Sequence, residues 1–116
     1  MLYTEVLKDP AVFSRIYKKG FRVSGDGASI YFSPNRRPFN RFGITAGKKV
    51  GGAVERNRAK RIIRAAYRKN ELLLPLGYDI VIVARADLNG KKSTDLDKLL
   101  QKLAKEMDHK GEKASN

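Results

Sequence analysis

The sequence predicts a single α+β domain in which helices pack on a mixed sheet, in the chain order α-β-β-α-β-α. Its 116 residues are a normal length for one domain. Residues 78–85 (YDIVIVAR) form a β-branched, nearly continuous apolar run, which is typical of a central strand. Residues 10–19 and 53–70 carry apolar side chains at helical spacing. We expect the domain to occupy residues 1–109 and a flexible tail to occupy residues 110–116.

The first helix has clear signals at both ends. Asp9 is a suitable N-cap, Pro10 suits the first helical position, and Gly20 suits the end. The apolar stripe of this helix consists of Val12, Phe13, Ile16 and Tyr17.

Two strands are predicted in the next part of the chain. Residues 21–23 lead into a glycine turn at residues 25–27, and residues 28–32 then alternate as a strand. A loop over residues 33–38 separates this strand from a second one over residues 41–46. We therefore expect these two strands to form a long hairpin.

Two further helices are predicted on either side of the central strand. The first runs from about Ala53 to Asn70 and follows the glycine pair Gly51 and Gly52. The last helix runs from Ser93 to Met107, with leucines at core spacing.

The positive charge of the chain is concentrated in one segment. The chain carries a net charge of +13, and residues 36–69 hold 12 Lys and Arg against one acid, Glu55. Charge that serves only solubility would be scattered along the chain. This concentration indicates a surface that lies against a polyanion, most commonly nucleic acid.

The helix predicted over residues 53–70 has two opposite faces. At 100° per residue, one side collects the apolar residues Ala59, Ile62, Ile63 and Ala66. The other side collects Asn57, Lys60, Arg61, Arg64 and Arg68, with Arg56 and Arg58 on its flanks. A solvated face normally mixes charges of both signs, whereas this one repeats like charges. Arginine binds phosphate in a planar, bidentate manner, so the pattern favours a phosphate-binding face, which Lys48 and Lys49 extend.

The composition excludes several classes of site. The chain has no Cys, so disulfides, thiolate metal sites and Cys nucleophiles are absent, and His109 is the single His. The acidic residues are dispersed along the chain. We therefore predict no catalytic residue and no metal site in the protein itself. No apolar run is long enough to span a membrane and no signal peptide is evident, so we predict a cytoplasmic protein.

A longer motif indicates a family. Residues 48–64 read KKVGGAVERNRAKRIIR, which resembles the signature K-K-x-G-x-A-V-x-R-N-R-x-K-R-x-x-R of the bacterial ribonuclease P protein subunit. Residues 13–20 resemble the N-terminal helix of that family, and residues 77–85 resemble its last strand. The resemblance extends over about residues 8–108. The chain departs from the family pattern at Gly47, where Ser is common, and at Gly52, where Asn is common.

The resemblance implies a fold like that of the second domain of ribosomal protein S5, with a left-handed βαβ crossover that holds the basic helix. The general rule for such crossovers predicts the opposite hand. The resemblance also implies a role as a subunit of an endoribonuclease that removes the 5′ leader of precursor tRNA. The catalyst is then an RNA subunit that binds Mg²⁺, and the free protein is an inert monomer.

The resemblance also assigns residues to two surfaces. The catalytic RNA is expected to contact Lys48, Lys49, Arg56, Asn57, Arg58, Lys60, Arg61, Arg64 and Arg68. A cleft for the single-stranded leader is expected to be lined by Phe13, Tyr17, Ser29 and Tyr31. Aromatic rings next to basic groups hold single strands by base stacking. Phe13 and Tyr17 also lie on an apolar helix stripe, where rings more often pack in a core, and the family usually has an apolar residue in place of Ser29.

Three alternative functions fit parts of the pattern. A ribosomal protein or RNA chaperone would bind many RNAs with similar affinity. A DNA-binding domain would place the basic helix in a major groove, but Asn57 alone suits bidentate base reading there. A stand-alone nuclease would need a metal cluster that this chain lacks.

Overall fold

The computed structural model describes the backbone of residues 4–115 and the side chains of residues 4–110. Its helices are α1 (Pro10–Lys19), α2 (Ala53–Asn70) and α3 (Asp97–Ser115). Its strands are β1 (Thr4–Val6), β2 (Phe21–Gly25), β3 (Ala28–Pro34), β4 (Asn40–Thr45) and β5 (Tyr78–Ala84). The single mixed α+β domain that the sequence predicts is confirmed, with β1 and β2 as two strands that the prediction missed.

The five strands form one sheet in the order β1-β4-β5-β3-β2. Strand β5 is central, as predicted, and pairs parallel with β4 and antiparallel with β3. The predicted hairpin between residues 28–32 and 41–46 is wrong, because β5 lies between these strands. The hairpin is instead formed by β2 and β3 around the glycine turn.

Backbone and side-chain hydrogen bonds of two asparagines hold the chain where it crosses from β3 to β4 past the start of β5. The Asn35 backbone N–H donates to the Gly77 oxygen at 2.8 Å. The Asn40 side chain accepts from the Tyr78 N–H at 2.9 Å and donates to the Pro75 oxygen at 3.0 Å. These asparagines bond backbone groups at the start of β5 and just before it, so the β3–β4 connection passes over that end of the strand.

The two faces of the sheet are covered unequally. Helices α2 and α3 pack on one face over the main core, which includes the fully buried Phe32, Ile63, Ile80 and Leu103. Helix α1 packs on the other face over a smaller cluster of Leu7, Val12, Ile16 and Val81. Because α1 is short, part of this second face remains uncovered, and the candidate cleft lies there.

Helix α2 is fixed to the sheet by an aromatic stack. The rings of Phe42 and Tyr67 are nearly parallel, with centroids 4.0 Å apart. The Tyr67 hydroxyl shares a 2.9 Å hydrogen bond with the Thr4 hydroxyl, which donates to Glu71 at 2.6 Å. Burial raises the pKa of Tyr67 to about 12. The edge strand β1 is therefore tied to the same helix that carries the basic face.

The predicted ends of α1 are confirmed. The Asp9 carboxylate accepts from the Ala11 N–H at 2.9 Å, and the Gly20 N–H donates to the Ile16 oxygen at 2.8 Å. The helix approaches the sheet closely at Gly43, where an added Cβ would lie 2.5 Å from Phe13 Cζ. Glycine at this position lets the Phe13 ring rest on β4.

Other predicted boundaries agree less well at the C-terminus. Helix α2 spans the predicted residues, but a short 3₁₀ turn at Ser93–Leu96 precedes α3, which continues to Ser115. Lys110 lies on the domain, with its Nζ 4.8 Å from the centroid of the Phe21 ring. The division between a domain and a tail at residue 110 stays a prediction, as does the left-handed crossover. Among the described residues, no helix is long and apolar enough to cross a membrane.

Candidate nucleic-acid interface

One face of α2 presents an exposed row of basic side chains. Arg61, Arg64 and Arg68 are exposed, together with Asn57, as the helical periodicity predicts. Within the part of the chain that the structure describes, no acidic side chain forms an ion pair with these arginines. Their guanidinium groups are therefore available to an external anion. The opposite face buries Ala59, Ile63 and Ala66 as predicted, while Ile62 is partly buried.

Other basic residues of α2 have partners inside the protein. Arg58 donates from Nη2 to the Lys91 backbone oxygen at 2.8 Å and is partly buried. Lys69 pairs with Asp97 at 2.8 Å, which joins the end of α2 to the start of α3. Lys69 and Asn70 both donate to the Asp97 carboxylate and hold its pKa below the usual value. These contacts stabilise the helix rather than add to the open row.

Lys60 and Arg64 extend the basic surface to the edge of the sheet. They line a groove of about 360 Å³ together with Lys8 and the segments 6–7 and 42–44. Strand β1 ends at Val6, so the edge of β4 beyond residue 42 has no neighbouring strand. The groove combines three cations with this open strand edge. The sequence prediction did not place Lys8 on this surface.

The segment before α2 carries two further exposed lysines. Lys48 and Lys49 lie in a 3₁₀ turn, Lys48–Val50, whose Val50 is buried. Gly51 follows with a φ of 138°, which side chains rarely adopt, and its added Cβ would lie 2.9 Å from Glu55 Cβ. Gly51 therefore permits the sharp entry into α2 that places both lysines near the first turn of the basic helix.

An aromatic groove lies on the α1 face of the sheet. It has a volume of about 410 Å³ and is lined by Tyr17, Ser29, Tyr31, Thr45, Val83 and Arg85. The Tyr17 and Tyr31 rings meet edge to face at 5.1 Å, and the Tyr17 hydroxyl bonds the Thr45 hydroxyl at 3.0 Å. Tyr17 remains 40% exposed. The two rings thus border an open groove, and its use as a leader cleft stays a prediction.

The other two predicted groove residues are placed differently. Phe13 is partly buried on Gly43, contacts Tyr17 edge to face at 6.4 Å and does not line the groove. Ser29 forms part of the groove wall but is only 4% exposed. Its hydroxyl bonds the Ser24 hydroxyl and accepts from Arg22 Nη2, each at 3.2 Å. Arg22 also lies over the Tyr31 ring at 5.7 Å, so Ser29 holds a cation next to the aromatic pair.

Three groove residues were missed by the sequence prediction. Thr45 lies in β4, and Val83 and Arg85 lie at the end of β5 and just after it. The sequence prediction paired β4 with β3 and so did not place β4 next to β5. Arg85 contacts Asp87 at 3.3 Å and also donates to the Gly25 backbone oxygen. The carboxylate of Asp87 accepts from Arg85 and from the Gly27 N–H, and both contacts lower its pKa. Alternation along β5 places Val83 on the same face as Val81, but only the strand order brings that face next to Thr45 and Tyr31.

The acidic side chains do not assemble a metal site in the described residues. No three His, Asp or Glu side chains gather there in a geometry that could hold a cation. Asp79, which is 2% exposed, accepts two bonds of 2.7 Å from Arg41 and one of 3.0 Å from Asn35. The donor set of this part of the protein therefore does not fit Mg²⁺, which prefers several oxygen ligands in an octahedral arrangement.

The geometry defines a small, strongly basic α+β domain with an arginine-bearing helix on one side of the sheet and an aromatic groove on the other. The family model "Ribonuclease P" matches residues 1–108. The chain belongs to this family.

Individual relatives agree with the family match. The ribonuclease P protein component of Lachnoclostridium phytofermentans is 40% identical over 102 residues, which cover 88% of each chain. That of Clostridioides difficile is 39% identical over 107 residues, covering 90% of this chain and 93% of the relative.

Solved structures of related proteins share the fold. The RNase P protein of Staphylococcus aureus has a TM-score of 0.75 at 32% identity and covers 88% of this chain and 96% of its own. The Thermotoga maritima protein has a TM-score of 0.73 at 28% identity and covers 84% and 96%.

Proposed function

We propose that this chain is the protein subunit of ribonuclease P, which binds the catalytic RNA and the 5′ leader of precursor tRNA and assists removal of the leader. The observation that carries this proposal is the exposed row of Arg61, Arg64 and Arg68 on α2, which has no acidic partner in the described residues. Family membership supplies the identity of the RNA, and the row supplies the means of binding it.

The catalytic RNA contacts the basic side of the protein through its phosphates. The contact residues are Lys48, Lys49, Arg56, Asn57, Arg58, Lys60, Arg61, Arg64 and Arg68. The exposed members can form charge-assisted, bidentate hydrogen bonds with phosphate oxygens. Arg58 contributes less than the others, because one of its nitrogens is engaged with Lys91.

The leader lies in the aromatic groove. Tyr17 and Tyr31 offer ring surfaces to unstacked bases, and Arg22 and Arg85 lie beside them to attract the leader phosphates. Ser29 acts through Arg22, and Phe13 supports the Tyr17 ring from the α1 side. The groove is therefore suited to single-stranded RNA of many sequences.

The chemistry of cleavage resides outside this protein. Mg²⁺ bound mainly by the RNA subunit would supply the activated water and stabilise the leaving oxygen. The protein lowers the charge repulsion between two RNAs, and this aid is greatest when Mg²⁺ is scarce. We place the protein in the cytoplasm as a free monomer that joins the RNA as one copy per holoenzyme.

The test is cleavage of a precursor tRNA at low Mg²⁺ by a bacterial ribonuclease P RNA, with and without the protein. We expect the wild type to restore cleavage at the mature 5′ end and the protein alone to be inert. The variant Arg61→Ala/Arg64→Ala should fail to restore it. The variant Lys98→Ala/Lys105→Ala removes the same charge from the exposed side of α3 and should behave as the wild type.

Two results would overturn the proposal. The wild type could leave cleavage unchanged while it binds unrelated RNAs equally well, which would identify a general RNA-binding protein. Alternatively, both double variants could lose activity equally, in which case net charge rather than the α2 face would carry the effect.

A further inference from the structure

We propose that the arginine tip, defined as residues 35–39 between β3 and β4, is a second and preformed contact for the phosphodiester backbone of RNA. Arg36 and Arg37 at its centre are both exposed. Among the described residues neither forms an ion pair. This inference rests on the proposed RNA-binding function and adds a site outside α2 and the aromatic groove.

Asn35 fixes the backbone of the arginine tip. Its backbone N–H donates to the Gly77 oxygen at 2.8 Å, and its side-chain oxygen accepts from the Arg37 N–H at 2.8 Å. Its side-chain nitrogen donates to the Phe39 oxygen at 3.2 Å and to Asp79 at 3.0 Å. The Asn35 side chain thus bonds two backbone groups of the turn and the Asp79 side chain of β5. The arginines are therefore presented by a rigid support, which lowers the entropy lost on binding.

An ion pair between a buried carboxylate and a partly buried arginine anchors that support. Asp79 accepts two hydrogen bonds of 2.7 Å from Arg41 in addition to the bond from Asn35. Its charge is compensated by Arg41, so it does not draw Arg36 or Arg37 inward. The charge of the tip is therefore left for an external anion.

The backbone at Arg36 points to a function of its side chain. Arg36 has a φ of 60° and is the one non-glycine residue with positive φ in the described chain. The left-handed region costs an arginine free energy that glycine or asparagine largely avoids. An arginine at a position where glycine fits better suggests that its charge, and not the fold, is the reason for it.

The second arginine has a defined orientation as well. The Arg37 guanidinium lies 6.0 Å from the centroid of the Phe39 ring. Gly77, with a φ of 99°, allows its backbone to lie beside the Arg37 carbonyl, where an added Cβ would be 3.2 Å away. Both arginines therefore project from one fixed turn.

The arginine tip is separate from the aromatic groove. It lies at the start of β5, and Arg85 lies at the opposite end of that strand. A rise of about 3.3 Å per residue places the two about 20 Å apart. RNA that occupies the tip is therefore a different stretch from the bases that stack in the groove, either in the catalytic RNA or further along the leader.

The test measures two affinities of the intact protein as a function of salt, first for RNA as the free protein and then for substrate as part of the RNA–protein complex. One arm uses ribonuclease P RNA alone, and the other uses the RNA–protein complex with precursor tRNA of short or long leader. We expect Arg36→Ala/Arg37→Ala to weaken binding about tenfold in one arm at fixed salt, because it removes two sets of charge-assisted hydrogen bonds to phosphate oxygens. The slope of log affinity against log salt should also become shallower by about 1.5.

Matched variants separate charge from structure. Lys98→Ala/Lys105→Ala removes the same charge elsewhere and should leave affinity within about twofold of wild type. Arg36→Gly should weaken RNA binding while its unfolding midpoint in urea stays equal to that of the wild type or rises. Asn35→Ala keeps both arginines but removes the bonds that fix the turn, so it should weaken binding by less than the removal of both arginines and leave the salt slope unchanged.

The outcomes identify the source of the phosphates or overturn the proposal. A loss with ribonuclease P RNA alone assigns the tip to the catalytic RNA, and a loss confined to long leaders assigns it to the leader. Equal losses in the tip and control variants, or no loss in either arm, overturn the proposal. If wild type binds RNA through the tip but gives no rescue of cleavage, the proposed function fails while the tip stands. If wild type binds no RNA, both fail.

Discussion

Arg58 on α2 donates a hydrogen bond of 2.8 Å to the backbone oxygen of Lys91 in the loop after β5. Arg61, Arg64 and Arg68 of the same helix are exposed, so Arg58 differs from them in direction and in partner. It ties the first half of α2 to a loop that precedes α3. A basic residue within an RNA-binding motif can thus serve the fold as well as the ligand.

The variant Arg58→Ala should lower the free energy of unfolding by about 1.5–3 kcal/mol, since it removes a charge-assisted bond and leaves a carbonyl without its partner. Arg61→Ala, which removes an exposed side chain, should change it by less than about 0.5 kcal/mol. Urea unfolding of the two variants measures this difference. Under conditions in which both variants are folded, Arg61→Ala should lose more RNA affinity than Arg58→Ala. Equal unfolding free energies for the two variants would contradict the structural role of Arg58.

Tyr67 should make the fold sensitive to alkali. Burial raises its pKa from 10.0 to about 12 in the folded state, so its neutral form is the one that the fold stabilises. This contribution is complete below pH 10 and is lost as the pH rises towards about 12. Tyr67→Phe removes the hydrogen bond between the Tyr67 hydroxyl and Thr4 and should be less stable at neutral pH by about 1 kcal/mol. Its free energy of unfolding should also decline less steeply above pH 10.

Chemical denaturation at several pH values from neutral to alkaline measures the Tyr67 effect. Tyr17→Phe, which removes the hydroxyl of an exposed ring, provides the control and should keep the steep decline. If wild type and Tyr67→Phe lose stability in parallel, the phenol of Tyr67 is not the group responsible.

The contact between Gly43 and Phe13 should appear in a double-mutant cycle. In Gly43→Ala the new Cβ would meet Phe13 Cζ at 2.5 Å and the Leu7 oxygen at 2.9 Å, so α1 must shift. We expect a loss of about 1–3 kcal/mol in unfolding free energy. Adding Phe13→Leu should recover part of this loss, which would show coupling. Strict additivity would mean that the ring does not lie on Gly43.

The aromatic groove should discriminate precursor from mature tRNA. Tyr31→Ala should weaken binding of leader-bearing precursor by about 1–3 kcal/mol, the value of one stacked base, and should leave mature tRNA unaffected. Phe21→Ala, which removes an exposed ring outside the groove, is the matched control. Binding of both RNAs to the RNA–protein complex measures the effect, and a similar loss for mature tRNA would place Tyr31 outside the leader path.

Local signals in the sequence predicted those parts of the fold that depend on neighbouring residues. The ends of α1 followed from Asp9, Pro10 and Gly20, and α2 followed from its 3.6-residue period. The order of the strands depends on contacts between distant segments. Strand β5 lies between β3 and β4, where the side chains of Asn35 and Asn40 bond its start, and no local pattern reveals that partnership.

The same distinction applies to the candidate site. The exposed row on α2 was predictable because its angular position depends on the helix alone. The inward direction of Arg58 and the burial of Tyr67 depend on Lys91 and on Phe42, which are distant in the sequence. The edge strand β1 was missed because it has three residues, two of them exposed, and so lacks an alternating pattern. The roles proposed for the RNA-binding residues stay predictions.

The central position of β5 sets the order of events while the chain is being made. Strands β1 to β4 leave the ribosome first, yet β3 and β4 must wait for β5 before either gains its inner neighbour. Until then the nascent chain exposes unpaired strand edges, which are prone to join other chains. The N-terminal half therefore cannot complete the sheet by itself, and we expect the sheet to close only once the segment through Ala84 has emerged.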